Sequence, residues 1–290
     1  MFKDKATFFD SFYSIGLIVA GVGLILITFL LTIPPGRLKP ARQVGLPQIE
    51  GLTTSNTPYA YTINFDYLKE NIIFHGPTDQ KLLALTFDAD MTPGMKNRLS
   101  KGEVKSWYNQ NVIDVLKQTK TPATLFLSGL WIETYPEISK QLSQEPLFEL
   151  GSHSYSHPAF ARPCFGLTPI SDLQKTAEIT KTQTLLKNLT GKNTFFFRFP
   201  GGCYTKKDLA LAKSLGVLPI QWNSDGPDAF NTNTKEIVKN LERLTTNGAI
   251  IILHMHGGAN APMTSEVLKQ YIPYARSKGF TFVKLSELLK

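Results

Sequence analysis

Residues 82–90 read LLALTFDAD, an almost unbroken apolar run closed by two aspartates, Asp88 and Asp90, on either side of Ala89. A strand this hydrophobic on both faces belongs inside a sheet covered by helices, and carboxylates at its end belong at the rim of that sheet. Alternate residues of an extended chain share a face, so Asp88 and Asp90 point the same way.

Six further short runs of the same kind follow, over residues 123–127, 147–150, 195–197, 217–221, 249–253 and 281–283. Amphipathic segments lie between them over 111–118, 170–189, 207–215, 235–244 and 265–277. Each of these seven strands therefore returns through a helix or a long connection. That pattern predicts a parallel sheet in either an α/β barrel or a doubly wound fold. The folded unit spans residues 61–290, long enough for one domain with a large core.

The polar residues sit where such a fold would use them. Asp88 and Asp90 follow the first run, His153 and His157 the third, Arg198 the fourth, Asp225 and Asp228 the fifth, and His254 the sixth. In parallel α/β folds the carboxyl ends of the strands form the rim where ligands bind. Taken singly, each residue has an ordinary explanation: a strand cap, a surface histidine pair, a core histidine, an ion-pair partner. Together they place two imidazoles and several carboxylates on one rim. Two histidines, one carboxylate and open positions suit a catalytic divalent ion, and a second carboxylate nearby can act as general base. An arginine beside an aspartate fixes that base, and an aspartate beside a histidine keeps it protonated as an acid. His75 and His256 lack such support and read as loop residues without an assigned role.

The ordered set TFDAD, HSYSH, RFPGG, DGPDA and IILH resembles the five motifs of the polysaccharide deacetylase family, the NodB-homology domain of carbohydrate esterase family 4. The resemblance runs from residue 82 to the C-terminus. It implies a distorted (β/α)7 barrel and metal-dependent removal of N-acetyl groups from amino-sugar polymers such as peptidoglycan, chitin-like chains or poly-N-acetylglucosamine. The implied cofactor is a divalent metal, Zn²⁺ first. By position, Asp88 resembles the general base, His153 and His157 the metal-binding pair, and Arg198 the residue holding the base. Asp228 resembles the partner of the acid and His254 the acid itself, with Asp225 opening the same fourth motif.

The sequence departs from that pattern in four places. The family usually reads TFDDG, with its second aspartate on the metal; here Ala89 stands there and cannot ligate, and Asp90 is the candidate replacement. Gly201 stands where the family has tyrosine, keeping a backbone N–H for an oxyanion but losing the aromatic wall. Ala229 replaces a usual tryptophan, with Phe230 next to it as a candidate substitute. Residues 95–108 form a longer loop than is usual, placed to shape a substrate groove. Two alternatives follow: a carbohydrate-binding barrel without turnover, and an O-acetyl esterase on a related polysaccharide.

Ahead of this domain, residues 12–33 (FYSIGLIVAGVGLILITFLLTI) form an uncharged stretch of 22 residues, enough to cross roughly 30 Å of hydrocarbon as one helix. The expected organisation is a tail over residues 1–11, a transmembrane anchor over 12–33 and a linker over 34–60. Lys3 and Lys5 face Arg37, Lys39 and Arg42 across the span, so the charge rule does not orient it. A polymeric sugar substrate places the catalytic domain on the extracytoplasmic side of the cell membrane. The net charge of +8 includes no block of like charge, and no nucleic-acid partner is expected. Two cysteines, Cys164 and Cys203, allow one bridge and exclude a cysteine zinc site.

Overall fold

A computed structural model describes residues 72–256 and 261–290. The expected tail, apolar span and linker lie outside the described residues; among these, no helix is long and apolar enough to cross a membrane.

β1 (Leu82–Ala89) is the central strand and is almost wholly buried. It pairs in parallel with β2 (Ala123–Leu127) on one side and β7 (Ala249–His254) on the other. β3 (Phe148–Ser152), β4 (Phe196–Phe197) and β5 (Leu218–Pro219) continue from β2, and β6 (Ser224–Asp225) continues from β7. β8 (Thr281–Phe282) pairs with the first residues of β1. All strand pairs are parallel, as the paired apolar runs require.

The result is a distorted α/β barrel with, among the described residues, eight strands rather than the seven expected. The run over 217–221 yields β5, and beyond that run the chain pairs again, with β7, as β6. The gap between β5 and β6 is closed by Ile73, whose N–H donates to Pro219 O (3.0 Å) and whose carbonyl accepts from Gln221 N (2.7 Å). The same entering chain is fastened to the start of β7 through Gly76 N to Gly248 O at 2.8 Å.

The outer layer holds α1 (Pro93–Ser100), α2 (Gln110–Gln118), α3 (Gly129–Thr134), α4 (Pro136–Gln144), α5 (Asp172–Thr190), α6 (Lys206–Ser214), α7 (Thr234–Leu244), α8 (Thr264–Ser277) and α9 (Leu285–Leu288). α1 occupies part of the segment expected to be loop. Pro93 presets its first turn, and Thr92 caps it by accepting from Met95 N at 3.1 Å.

The pleat of β1 divides the core. Leu83, Leu85, Phe87 and Ala89 pack outward with residues of α2, α7 and α8, whereas Ala84 faces inward with Phe126, Phe196, Ile220 and Ile250. Asp88 and Asp90 follow the inward set, which is how an apolar strand delivers two carboxylates to the mouth of the barrel. Gly151 of β3 is needed for inward packing: a Cβ there would meet the Phe126 ring at 2.7 Å.

Candidate metal centre and catalytic rim

Strand register brings the rim residues together. Asp88 on β1 is the direct cross-strand partner of His254 on β7, and Ser152 at the end of β3 is paired with Leu127 and Phe197. His153 and Arg198, the next residues along, are therefore neighbours, tied by Arg198 N to Ser152 O at 2.9 Å.

Arg198 is fully buried and its guanidinium is committed. Nη1 donates to Asp88 Oδ1 at 2.7 Å, and Nε donates to Ile220 O at 3.2 Å. Nη2 donates to Gln221 O at 3.4 Å, while the guanidinium carbon lies 4.1 Å from the centre of the Phe126 ring. Asp88 is thus clamped on one oxygen. Its other oxygen, Oδ2, lies 3.4 Å from His153 Nε2.

His153 Nδ1 lies 2.9 Å from the carbonyl of Arg198, which can only accept, so the ring proton sits on Nδ1. Its Nε2 then faces Asp90 Oδ1 at 3.3 Å, and His157 Nε2 faces the same oxygen at 3.3 Å. The three ligand atoms lie within 4.8 Å of one another. Asp90 Oδ1 and His153 Nε2 are buried with no hydrogen bond among the described residues. Lone pairs that converge this way and satisfy nothing in the protein fit a cation, and two imidazoles with one carboxylate are a donor set suited to Zn²⁺ or a similar ion.

Their electrostatics agree. Burial would raise the Asp90 carboxyl, but His157, His256 and His153 around it hold it well below the usual carboxylate range. Burial pulls His157 down to about 4, leaving it neutral and able to ligate. Burial also opposes charge on His153, but Asp88 and Asp90 push its pKa above the ordinary imidazole value.

The two histidines do not meet on a helical turn, as an i, i+4 spacing suggests. Residues 153–157 form a loop in which Ser154 (φ 59°) and His157 (φ 56°) are left-handed. The carbonyls of Ser154 and Tyr155 accept from Gly129 N and Leu130 N at the start of α3. Glu178 of α5 accepts from Tyr155 N, Ser156 N and Ser156 Oγ, which fixes the turn that aims both rings.

On the facing side of the rim, Asp228 Oδ1 lies 2.8 Å from His254 Nδ1, and its Oδ2 accepts from His254 N and Thr264 Oγ1. Burial disfavours the imidazolium, but Asp228 outweighs it and raises His254 to about 10. Asp225 is placed differently. It is exposed on β6, its carboxylate makes no hydrogen bond or ion pair among the described residues, and desolvation with the Asp228 charge pushes its pKa up.

Gly201 lies in a short 3₁₀ turn at φ 59°, and a Cβ there would stand 2.8 Å from Cys164 Sγ and 3.1 Å from Phe165. Cys164 and Cys203 are joined by a disulfide that pins residues 159–169 beside this turn. The aromatic side chain missing at 201 is thus replaced in space by Phe165, which stacks on Phe230 with ring centres 5.5 Å apart. Both rings are exposed, at 71% and 75%. Phe165 carried no signal in the sequence beyond its place next to a cysteine. Residues of the longer 95–108 segment, including Arg98, Glu103, Lys105 and Tyr108, line a groove of about 550 Å³. It borders the rim through Asn109, whose N–H donates to Met255 O between the last two histidines of the rim.

His256, read from the sequence as a loop residue without an assigned role, does follow the end of β7, but it is drawn into the site. It is buried, its ring stacks on His254, and its Nε2 lies 3.1 Å from Asp90 Oδ2. Its position two residues past His254 is the same alternation that pairs Asp88 with Asp90, and that signal was available. His75, by contrast, is exposed, with Nδ1 donating to Gly76 O far down the strand.

The family model described as Polysaccharide deacetylase matches residues 75–220. Two peptidoglycan-N-acetylglucosamine deacetylases of Bacillus cereus are similar at 27% identity. One alignment covers 81% of this chain and 76% of the relative; the other covers 74% and 91%. The crystal structure of a peptidoglycan N-acetylglucosamine deacetylase bound to a naphthalenyl N-hydroxybenzamide is similar with a TM-score of 0.63 at 27% identity, over 74% of this chain and 91% of that one. A carbohydrate esterase family 4 pseudoenzyme from Bacillus anthracis shares the fold, with a TM-score of 0.62 at 22% identity over 77% of this chain and 70% of that one.

Proposed function

This chain belongs to the polysaccharide deacetylase family, and from that premise we propose that it hydrolyses N-acetyl groups on an amino-sugar polymer, peptidoglycan first among them. The observation that carries the reading is the convergence of Asp90 Oδ1 with the Nε2 atoms of His153 and His157 beside the clamped Asp88.

Asp90, His153 and His157 would hold a divalent cation, which when bound polarises a carbonyl and acidifies a water. Asp88 accepts the proton of the attacking water on Oδ2, the oxygen that Arg198 leaves free. The carbonyl carbon gains that oxygen and loses its bond to nitrogen. His254, kept protonated by Asp228, delivers a proton to the departing sugar amine, so acetate and a free amine leave. Gly201 and Phe230 line the approach, one through its backbone N–H and the other through its ring. Asp225 shapes the rim by charge alone.

Relatives named as peptidoglycan deacetylases support the substrate class. The apolar 12–33 segment and the Cys164–Cys203 bridge support a membrane-anchored enzyme whose catalytic domain lies outside the cytoplasm, since disulfides persist in oxidising compartments. The test is acetate release from peptidoglycan, chitin oligomers and acetylated xylan, with and without chelator. Release from xylan alone would replace this reading by an O-acetyl esterase. Release from none would favour the non-catalytic barrel that the pseudoenzyme relative exemplifies.

A further inference from the structure

His256 lies outside the five motifs, and neither the family resemblance nor the mechanism above gives it a task. Resting on the reading of Asp90, His153 and His157 as a cation site, we propose that His256 is the positioning residue that makes Asp90 a working ligand.

The problem it solves begins with Ala89. Position 89 is fully buried on the outward face of β1, packed among the core residues beneath the helices, so no ligand can reach the rim from there. The carboxylate has moved one residue on, to Asp90, which lies past the end of β1. The alternation of β1 gives Asp90 its side of the chain, but the strand pairing stops short of it, so its main chain needs another anchor if the carboxylate is to keep its aim.

His256 comes from the segment that follows β7 and reaches across to supply the missing restraint. Its Nε2 lies 3.1 Å from Asp90 Oδ2 and 3.2 Å from Asp90 N. Asp90 N–H donates to Nε2, so the ring anchors the main chain at Asp90 with Oδ2 beside it, while Oδ1 remains for His153 and His157. The imidazole is buried and its plane is set by stacking on His254 at 5.2 Å, inclined by 17°. It is not itself one of the three atoms that converge within 4.8 Å. The division of labour is the one seen generally around metals, where an outer partner orients the ligand.

The test titrates the metal-free full chain with Co²⁺, reading visible absorption and competition with a chelator, so that no substrate enters. His256→Leu, which keeps volume and loses the acceptor for Asp90 N–H, should weaken Co²⁺ binding by about 10–100-fold. His256→Gln, whose amide oxygen can accept from the same Asp90 N–H, should stay within a few-fold of the parent and keep its spectrum. Thermal unfolding of the metal-free variants controls for folding. Should the leucine variant not fold, His256→Asn, whose amide stops short of Asp90 N, takes its place and should show the same loss.

Unchanged Co²⁺ affinity in the leucine variant overturns the proposal, as does a glutamine variant no better than leucine. A shifted absorption band in the glutamine variant also overturns it, because His256 would then be a ligand. A parent chain that takes up no Co²⁺ overturns the cation site and this proposal together. Failure to release acetate from any polymer, with Co²⁺ binding still dependent on His256, overturns only the proposed reaction.

Discussion

Arg198 Nη1 holds Asp88 Oδ1 at 2.7 Å while both side chains are almost wholly removed from water. A buried pair of this kind contributes little net stability, but removing one member strands the other's charge. Arg198→Met should therefore cost about 3–5 kcal/mol in chemical denaturation and also lower kcat, since Asp88 loses its orientation. Asp88→Asn is the complementary change. It should reduce kcat by at least about 10²-fold and leave Co²⁺ uptake intact, the combination expected of a base that is not a ligand.

Chelation should abolish turnover, and Zn²⁺ or Co²⁺ should restore it. Asp90→Ala should bind either ion more weakly than the parent, measured by dialysis and elemental analysis. Equal metal content in Asp90→Ala would remove Asp90 from the ligand set.

The pH profile tests the acid. His254 must carry its proton to act, and Asp228 raises its pKa from 6.5 to about 10, so the proton is present throughout the neutral range and activity is lost only as pH rises through about 10. Asp228→Asn removes the charge that sustains this shift, and the basic limb of the kcat profile should move down toward the ordinary imidazole range. The variant would then be most impaired on the alkaline side.

The aromatic pair predicts a separation of effects. Phe165→Ala and Phe230→Ala should raise KM for a polymer with little change in kcat or metal affinity, because neither ring touches the reacting groups. Replacing Cys164 and Cys203 by serine should cost about 2–4 kcal/mol of stability and reproduce the KM effect of Phe165→Ala.

Restoring the family's tyrosine should not help this protein. Gly201→Tyr forces a side chain onto a left-handed backbone and into the Cys164 sulfur, so it should lower stability by about 1–3 kcal/mol, read from its melting temperature.

The parallel layout and the identity of the rim residues were legible because both depend on simple alternation. Apolar runs mark strands buried on two faces, and polar residues just after them mark one edge. Asp88 and Asp90 share the inward side of β1 for the same reason. What the alternation hides is anything set by cross-chain fit. The histidine turn is shaped by Glu178 on α5, 21 residues beyond His157. Phe165 is held beside Gly201 and Phe230 in a segment tied down by a bridge between residues 39 apart. β6 lies outside every apolar run, and the pairing of Ile73 with Ile220 is one that no local pattern announces. His256 was the residue that alternation could have found, since it repeats the His254 position by two.

The fastening of Ile73 across the barrel's gap gives this architecture a mechanical property. Tension applied to the chain ahead of Ile72, as from a tether, arrives first at the bonds from Ile73 to Pro219 and Gln221. The next residues, Ile220 and Gln221, lend their carbonyls to the guanidinium of Arg198, which holds Asp88. A pull on the entering segment would thus be passed to the carbonyls that hold Arg198 and, through its guanidinium, to Asp88.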